Sequence, residues 1–215
     1  MMQSNPYSFD RPTMKFMVQS SEYQIGFHSH PMYFPIHLLT SLGNPISLPI
    51  PNLTLAFPLL DIFDSRVNKA GKVGAVYVKI DDGVLFEIKP HARIPRTYNR
   101  FCGLILDLLK KRCIRAEDTN EVLFRILNEP LSQHLPSNSR VSNGLEKLVD
   151  IQNYVSTCDD KNFVFVVSAT DHKKINICAD DMISVSHYPL VSMSCVGMIC
   201  EALEHKWIVE PLLHN

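Results

Sequence analysis

The chain has 215 residues, of which 46% are hydrophobic and 20% are charged, and its formal net charge is −1. This composition is typical of a globular protein with a buried core, and it excludes a disordered chain, a collagen and a coiled coil as descriptions of the whole molecule. No apolar run is long enough to cross a bilayer, so no membrane segment is expected. Residues 1–12 lack the features of a secretory signal, and we expect an intracellular protein whose six cysteines are reduced.

The net charge conceals an uneven distribution of charged residues along the chain. Residues 64–115 contain twelve lysines and arginines against five acidic residues, a net charge of +7. Residues 116–215 contain seven against fourteen, a net charge of −7. The basic segment is either a solvated face or a surface for a polyanion such as a nucleic acid, and the count alone leaves both open.

The first 58 residues contain eight of the fourteen prolines, which interrupt helices and central strands alike. Only Met14–Gln19 and residues 36–42 have enough apolar side chains between prolines for a short element, so we treat this segment as irregular. His28 and His30 form a pair, but no further ligands follow at metal spacing, and a metal site is not expected.

The first regular elements are predicted beyond residue 59. Residues 74–80 and 84–88 are rich in β-branched and aromatic side chains, and Gly83 between them can adopt the positive φ of a tight turn. This pattern predicts a β-hairpin. Apolar residues at helical spacing between Phe101 and Leu109 then predict a helix with Thr97 as its N-cap.

Further helices are predicted over residues 120–127 and 145–155. Residues 163–167 form a continuous apolar run, which is typical of a strand buried on both faces, and residues 183–186 suggest a second strand. A last helix follows, with apolar or small residues at helical spacing from residue 193 to 203. Buried strands followed by helices predict an α/β fold with a largely parallel sheet.

Three arginines, Arg93, Arg96 and Arg100, fall on the loop and first turn that open the predicted helix. Guanidinium groups beside free backbone N–H groups can bind phosphate. Alternatively, they pair with carboxylates, although none lies close in sequence. Spacing alone leaves phosphate or RNA binding and ion pairing open.

Asp64 ends an apolar stretch and is followed by Asn68, Lys69 and Gly71. The simplest interpretation is a helix end and a loop. The same residues could also bring a carboxylate and an ammonium group close to the arginines.

These residues carry a family resemblance. Residues 64–104 closely resemble the ribosome-biogenesis pseudouridine-N1 methyltransferases, which belong to the SPOUT superfamily of knotted α/β methyltransferases. The family pattern, roughly DSP-x-NKAG followed by IPRT-x-x-RF-x-GL, matches residues 64–71 and 94–104. Further similarity occurs at residues 128–136 and at the strands and loop of residues 163–167 and 185–190. The resemblance extends over about residues 59–209.

The resemblance implies a fold, a cofactor and a substrate. The fold would be a trefoil-knotted parallel sheet flanked by helices over residues 59–211, preceded by a divergent segment over residues 1–58, in a homodimer. S-adenosylmethionine would bind in the knot. The substrate would be a pseudouridine of small-subunit, 18S-type rRNA, methylated at N1 in a pre-ribosomal particle of the nucleolus.

The resemblance also assigns roles by motif position. Asp64 would be the catalytic carboxylate that orients or accepts the N1 proton. Arg93, Arg96 and Arg100 would hold the RNA backbone, with Lys69 in support. The implied cofactor-binding residues are Val167, Ser168, Lys173, Val185, Ser186 and Leu190.

Two departures from the family pattern affect these expectations. The family's N-terminal strand is not recognisable in residues 1–58, which leaves open a sheet without its first strand. Both glycines of the family's cofactor loop are replaced, by Ser168 and Lys173, although glycine lets a backbone approach a ligand closely. The chain is therefore either an active rRNA methyltransferase or a degenerate relative that binds rRNA or pre-ribosomes as an assembly factor without catalysis.

Overall fold

Helices flank one mixed, largely parallel sheet in the computed structural model, which describes residues 14–19, 53–80, 83–128, 130–135, 139–158, 162–168, 180–188 and 190–213, with the backbone alone for 19, 53–54 and 139–146. The strands are β1 (Met14–Gln19), β2 (Val73–Lys79), β3 (Leu85–Ile88), β4 (Cys113–Arg115), β5 (Val122–Leu127), β6 (Ser139–Leu148), β7 (Asn162–Ser168) and β8 (Asp181–Ser184). The helices are α1 (Leu53–Asp64), α2 (Arg66–Lys69), α3 (Tyr98–Lys111), α4 (Ile151–Thr157), α5 (Ser192–Glu204) and α6 (Glu210–Leu213). A 3₁₀ turn covers Leu131–His134, and a π-helical turn covers His205–Val209.

β1 lies inside the sheet, whose strand order is β4-β5-β3-β2-β1-β7-β6-β8. Phe16 pairs with Val76 of β2 on one side and with Phe165 of β7 on the other, in parallel register on both sides. The expectation of a short element over Met14–Gln19 is confirmed, whereas a sheet that lacks its first strand is wrong. A buried strand needs only a few apolar residues, and no proline interrupts these six.

Several predicted elements are confirmed. β2 and β3 form the antiparallel hairpin, and Gly83 in its turn has a φ of +78°. α3 begins directly after Thr97, although the Thr97 side chain makes no capping hydrogen bond. The buried strand β7 and the helix α5 also form where the sequence predicts them.

The helix predicted over residues 120–127 is wrong, and the helix predicted over residues 145–155 is confirmed only from Ile151 onward. The first of these segments contains β5, in which Phe124 pairs with Ile88 of β3. The second is divided between the end of β6 and α4, whose N-cap Asp150 accepts hydrogen bonds from two backbone N–H groups. Short apolar runs fit helical and extended periodicity equally well, so pairing with a neighbouring strand decided the outcome.

The main core lies between the sheet and the helices α1, α3, α4 and α5. α1 begins at Leu53, so this helix crosses the boundary expected after residue 58. Residues 36–42, His28 and His30 lie outside the described residues. No helix in the described part of the chain is long and apolar enough to cross a membrane.

The opposite face of the sheet carries a smaller apolar cluster, which includes Met17, Tyr77 and Val166 and is packed against Leu131 and Leu135. Two donors attach the 3₁₀ turn to this face. The Nζ of Lys15 and the hydroxyl of Tyr77 both donate to the carbonyl oxygen of His134, at 3.0 and 3.3 Å.

Glu87 of β3 is a buried carboxylate with two cationic partners. Its oxygens lie 3.0 Å from Nζ of Lys89 and 2.6 Å from Nε of Arg125. Burial by itself would raise the pKa of Glu87, but the hydrogen bonds and charges of Lys89 and Arg125 outweigh it, and the pKa is lowered from the ordinary 4.5.

Acidification should therefore destabilise the protein through Glu87. A carboxyl group whose pKa is lower in the folded state contributes stability above its unfolded-state pKa and loses it as the pH falls through the folded-state value. We expect the free energy of unfolding, measured with urea, to decrease as the pH is lowered below about 4. Glu87→Gln should make this fall shallower.

Arg125→Ala leaves the buried carboxylate with one cationic partner and should cost about 2 kcal/mol at neutral pH. The matched control is Arg115→Ala, because Arg115 is exposed and its side chain donates to the carbonyl oxygen of Asn120, with no ion pair to any residue that the structure describes. Equal losses of stability in the two variants would contradict a special role for the Glu87 pair.

Candidate functional site

A cavity of about 640 Å³ lies between the end of α1, α2 and the loop that precedes α3. Four of the residues assigned from sequence line it together, namely Asp64, Lys69, Arg93 and Arg96. Its wall also includes apolar side chains, among them Phe63 and Ile94. The cavity therefore combines a carboxylate, several cations and apolar surface.

Asp64 and Arg96, which both line this cavity, form an ion pair. Nη2 of Arg96 donates to both carboxylate oxygens of Asp64, at 3.1 and 2.8 Å. The two side chains are 47% and 76% exposed, so the pair is screened by solvent and contributes little stability. A ligand can therefore exchange with either partner at small cost.

Arg93 and Arg100 differ from Arg96. Both are exposed, and neither forms an ion pair with any residue that the structure describes. The ion-pair alternative left open by the sequence thus holds for Arg96 alone. The other two guanidinium groups are available to an external anion.

Asn68 connects the two segments that carry the ion pair. Its Nδ2 donates to the carbonyl oxygens of Phe63 and Pro90, at 3.0 and 2.9 Å. Phe63 precedes Asp64, and Pro90 begins the loop that leads to Arg96. Asn68 belongs to the family motif, but its role could not be predicted from sequence, because both of its partners are backbone atoms that no sequence pattern reveals.

Two of the described cysteines, Cys102 and Cys200, are poor nucleophiles. Cys102 and Cys200 are free thiols. Burial raises the pKa of Cys200 to about 12, and burial also raises the pKa of Cys102. Thiolate chemistry is thus disfavoured at both.

Beside the cavity, the pKa of Asp61 is raised by burial and by the charge of Asp64. Of these two carboxyl groups, the one that lines the cavity is that of Asp64.

The described residues assigned to the cofactor lie at or after the carboxyl ends of β7 and β8. Ser168 ends β7 and pairs with Gln19, which in turn pairs with Lys79 at the end of β2. Val185, Ser186 and Leu190 follow the end of β8. The side chain of Val167 is buried in the core, and Lys173 lies outside the described residues.

Local hydrogen bonds shape the segment after β8. The hydroxyl of Ser184 donates to the carbonyl oxygen of Ser186 at 2.8 Å, and the Ser186 hydroxyl accepts from the backbone N–H of Tyr188 at 3.0 Å. The side chain of Tyr188 is left 78% exposed. The carboxyl ends of parallel strands are the usual place for ligands in such sheets.

The cavity and the cofactor-side residues are far apart in one chain. The cavity adjoins Val73 at the start of β2, whereas Ser168 lies level with Lys79 at the end of β2. Six residues of extended strand separate the two levels by about 20 Å. The structure therefore brings Asp64 to the arginines but not to the cofactor-side residues of the same chain.

Replacement of Asn68 tests how the cavity is held together. Asn68→Ala removes two hydrogen bonds to backbone carbonyls and should lower the free energy of unfolding by about 1.5 kcal/mol, measured with urea. Lys69→Ala changes an exposed neighbour and should stay within about 0.5 kcal/mol of the unaltered protein. An Asn68→Ala protein as stable as the Lys69→Ala protein would contradict this role.

Comparison with solved structures identifies a related fold. The crystal structure of Archaeoglobus fulgidus Nep1 bound to S-adenosylhomocysteine superimposes with a TM-score of 0.58, at 20% identity, over 71% of this chain and 69% of that one. At this identity the likeness establishes the fold.

Sequence relatives are closer. The ribosomal RNA small subunit methyltransferase NEP1 of Candida albicans is 37% identical over 176 residues, which are 79% of this chain and 65% of the relative. The Mus musculus protein of the same name is 37% identical over 153 residues, 69% of this chain and 62% of the relative. The chain thus spans slightly less than two thirds of these relatives. The Candida glabrata protein is 34% identical, over 80% of this chain and 76% of the relative. Because the EMG1/NEP1 methyltransferase family also matches residues 55–204, most of the chain, this protein belongs to that family.

Proposed function

We propose that this protein is an S-adenosylmethionine-dependent methyltransferase of small-subunit ribosomal RNA. It would methylate N1 of a pseudouridine during small-subunit assembly in the nucleolus. The observation that carries the proposal is the cavity in which the Asp64 carboxylate lies among Arg93 and Arg96, in a chain of the EMG1/NEP1 methyltransferase family. The relatives' names, which describe ribosomal RNA small subunit methyltransferases, support the substrate class.

The arginines provide the substrate side of the proposal. Arg93 and Arg100 have no ionic partner among the described residues, so each can bind an RNA phosphate without breaking an internal pair. Arg96 is held only by its exposed bond to Asp64. A phosphate that takes Arg96 would release the Asp64 carboxylate at the moment when RNA fills the cavity.

The released carboxylate suits the proton chemistry of the reaction. N1 of pseudouridine carries a weakly acidic hydrogen, and a carboxylate within hydrogen-bond reach can orient the base or accept that proton. A cavity of about 640 Å³ is large enough for a single nucleotide. The target base would enter it flipped out of an RNA loop.

The carboxyl ends of the parallel strands suit the cofactor. Ser168, Ser186 and Leu190 would line its site, and the exposed Tyr188 and Val191 could cover an apolar ring there. S-adenosylmethionine supplies, when bound, a methyl group on a positively charged sulfur that is open to nucleophilic attack.

The distance between the cavity and the carboxyl ends of the strands favours a homodimer. Because the cavity adjoins the start of β2 and Ser168 lies level with its end, about 20 Å further along the strand, a second chain is needed to bring Asp64 and the cofactor-side residues together. Apolar side chains are exposed on α1 and near the start of α5, at Phe57, Val191 and Met193. Exposed apolar side chains of this kind are common at subunit contacts. The cavity of one chain would face the strand ends of its partner.

The second candidate function is an assembly factor that binds rRNA or pre-ribosomes without catalysis. The replacement of both loop glycines by Ser168 and Lys173 favours it, because side chains there narrow a cofactor pocket. Both functions use the same arginines, so RNA binding does not separate them.

Cofactor binding and methyl transfer separate the two functions. We expect calorimetry to detect S-adenosylmethionine binding, and labelled methyl groups to appear on small-subunit rRNA that contains pseudouridine. The same transcript with uridine in place of pseudouridine is the control and should stay unlabelled. Absence of binding at millimolar cofactor would leave the assembly factor as the function.

Mixed dimers test whether two chains share each site. Asp64→Asn and Ser186→Phe chains should each be inactive alone. The Asp64→Asn chain lacks the carboxylate, and the Ser186→Phe chain has a bulky side chain in the proposed cofactor site. If each site combines both chains, a mixed dimer has one intact site. Random mixing should then restore about a quarter of the activity of the unaltered protein.

The control replaces the Ser186→Phe chain with a chain that carries both substitutions, and it should restore nothing. Light scattering must show that every variant dimerises. Failure of the first mixture to gain activity, with dimers present, would refute the shared site.

A further inference from the structure

Gly103 lies in the interior of α3, on its solvent-exposed side. Glycine destabilises a helix interior relative to alanine. A Cβ atom built on Gly103 would meet no atom within 4 Å, so packing among the described residues does not require glycine at this position. Gly103 therefore suits close approach by a molecule outside the chain.

The side chains around Gly103 are polar and mostly cationic. Helical periodicity groups Gly103 with Arg100 and Lys110 on the face opposite the buried Phe101, Ile105 and Leu108. Asp107 on this face is neutralised by Lys111, whose Nζ lies 3.1 Å from its carboxylate. Neither Arg100 nor Lys110 has an ionic partner among the described residues.

This face continues the cavity surface. Arg93 and Arg96 line the cavity, Arg100 follows on the first turn of α3, and Lys110 lies about 15 Å further along the helix. Cations thus bracket a position that has no side chain. We name Arg100, Gly103 and Lys110 the α3 track.

We propose that the α3 track binds the sugar–phosphate backbone of the RNA outside the cavity, with the backbone closest to the helix at Gly103. This inference rests on the proposed RNA substrate. A second copy of the chain fits the track less well, because a twofold contact would place the same cationic face against itself. Phosphates are complementary to it in charge.

The proposal predicts opposite effects on stability and affinity. Gly103→Ala should raise the melting temperature by about 3 °C, because alanine favours the helix. The added methyl group should hold the RNA backbone away and weaken binding about tenfold. If Gly103 had a purely structural role, its replacement by alanine would not raise the melting temperature and weaken RNA binding at the same time.

The experiment measures binding of a labelled small-subunit rRNA transcript as a function of salt. Lys110→Ala should weaken binding and reduce the salt slope by about one. Gly197→Ala is the matched control, because Gly197 is also exposed in a helix, in α5, with nothing within 4 Å of an added Cβ. It should raise the melting temperature and leave RNA affinity unchanged.

The double variant Arg93→Ala with Arg96→Ala, which removes the two arginines of the cavity and leaves the α3 track intact, separates this proposal from the proposed function. If it binds the transcript as tightly as the unaltered protein does, RNA binding through the cavity is refuted. If it binds weakly while Gly103→Ala retains full affinity, only the α3 track is refuted. Equal losses of affinity in Gly103→Ala and Gly197→Ala would also overturn the track.

Discussion

The position of β1 inside the sheet is the constraint on which the other features depend. A strand with neighbours on both sides must pair its backbone groups with each, and β1 does so in parallel register with β2 and β7. It thereby joins the hairpin half of the molecule to the C-terminal strands. Its register also sets Val73 level with Phe163 at one edge, and Lys79 level with Ser168 at the other.

That register separates the cavity from the residues assigned to the cofactor. The basic segment of residues 64–115 supplies most of the cavity and α3, whereas the acidic segment that follows supplies β6 to β8 and the loops after β7 and β8. A net charge of −1 thus results from cancellation between a cationic surface and an anionic half. The weak pair of Asp64 and Arg96 suits such a surface, since an exposed ion pair can be exchanged for a bound phosphate.

Elements with strong local signals were predictable. The hairpin has its turn glycine, α3 has a full helical period, and β7 is a continuous apolar run, so each could be located from its own residues. β5 and β6 were not, because their short apolar stretches fit two periodicities until a neighbouring strand pairs with them. The role of β1 was missed because the surrounding prolines suggested an irregular segment, although none falls within it.

The sequence by itself determined the family, the residue types of the cavity and the charge of the segment that forms it, because these depend on local motifs and composition. Only the tertiary structure decided that Arg96 pairs with Asp64, 32 residues earlier in the chain, and that Asn68 donates hydrogen bonds to the carbonyl oxygens of both Phe63 and Pro90. It also decided that Asp64 and the cofactor-side residues lie at opposite ends of the parallel strands. Such contacts depend on strand order and register, which join segments distant in sequence and leave no periodic signal in either one.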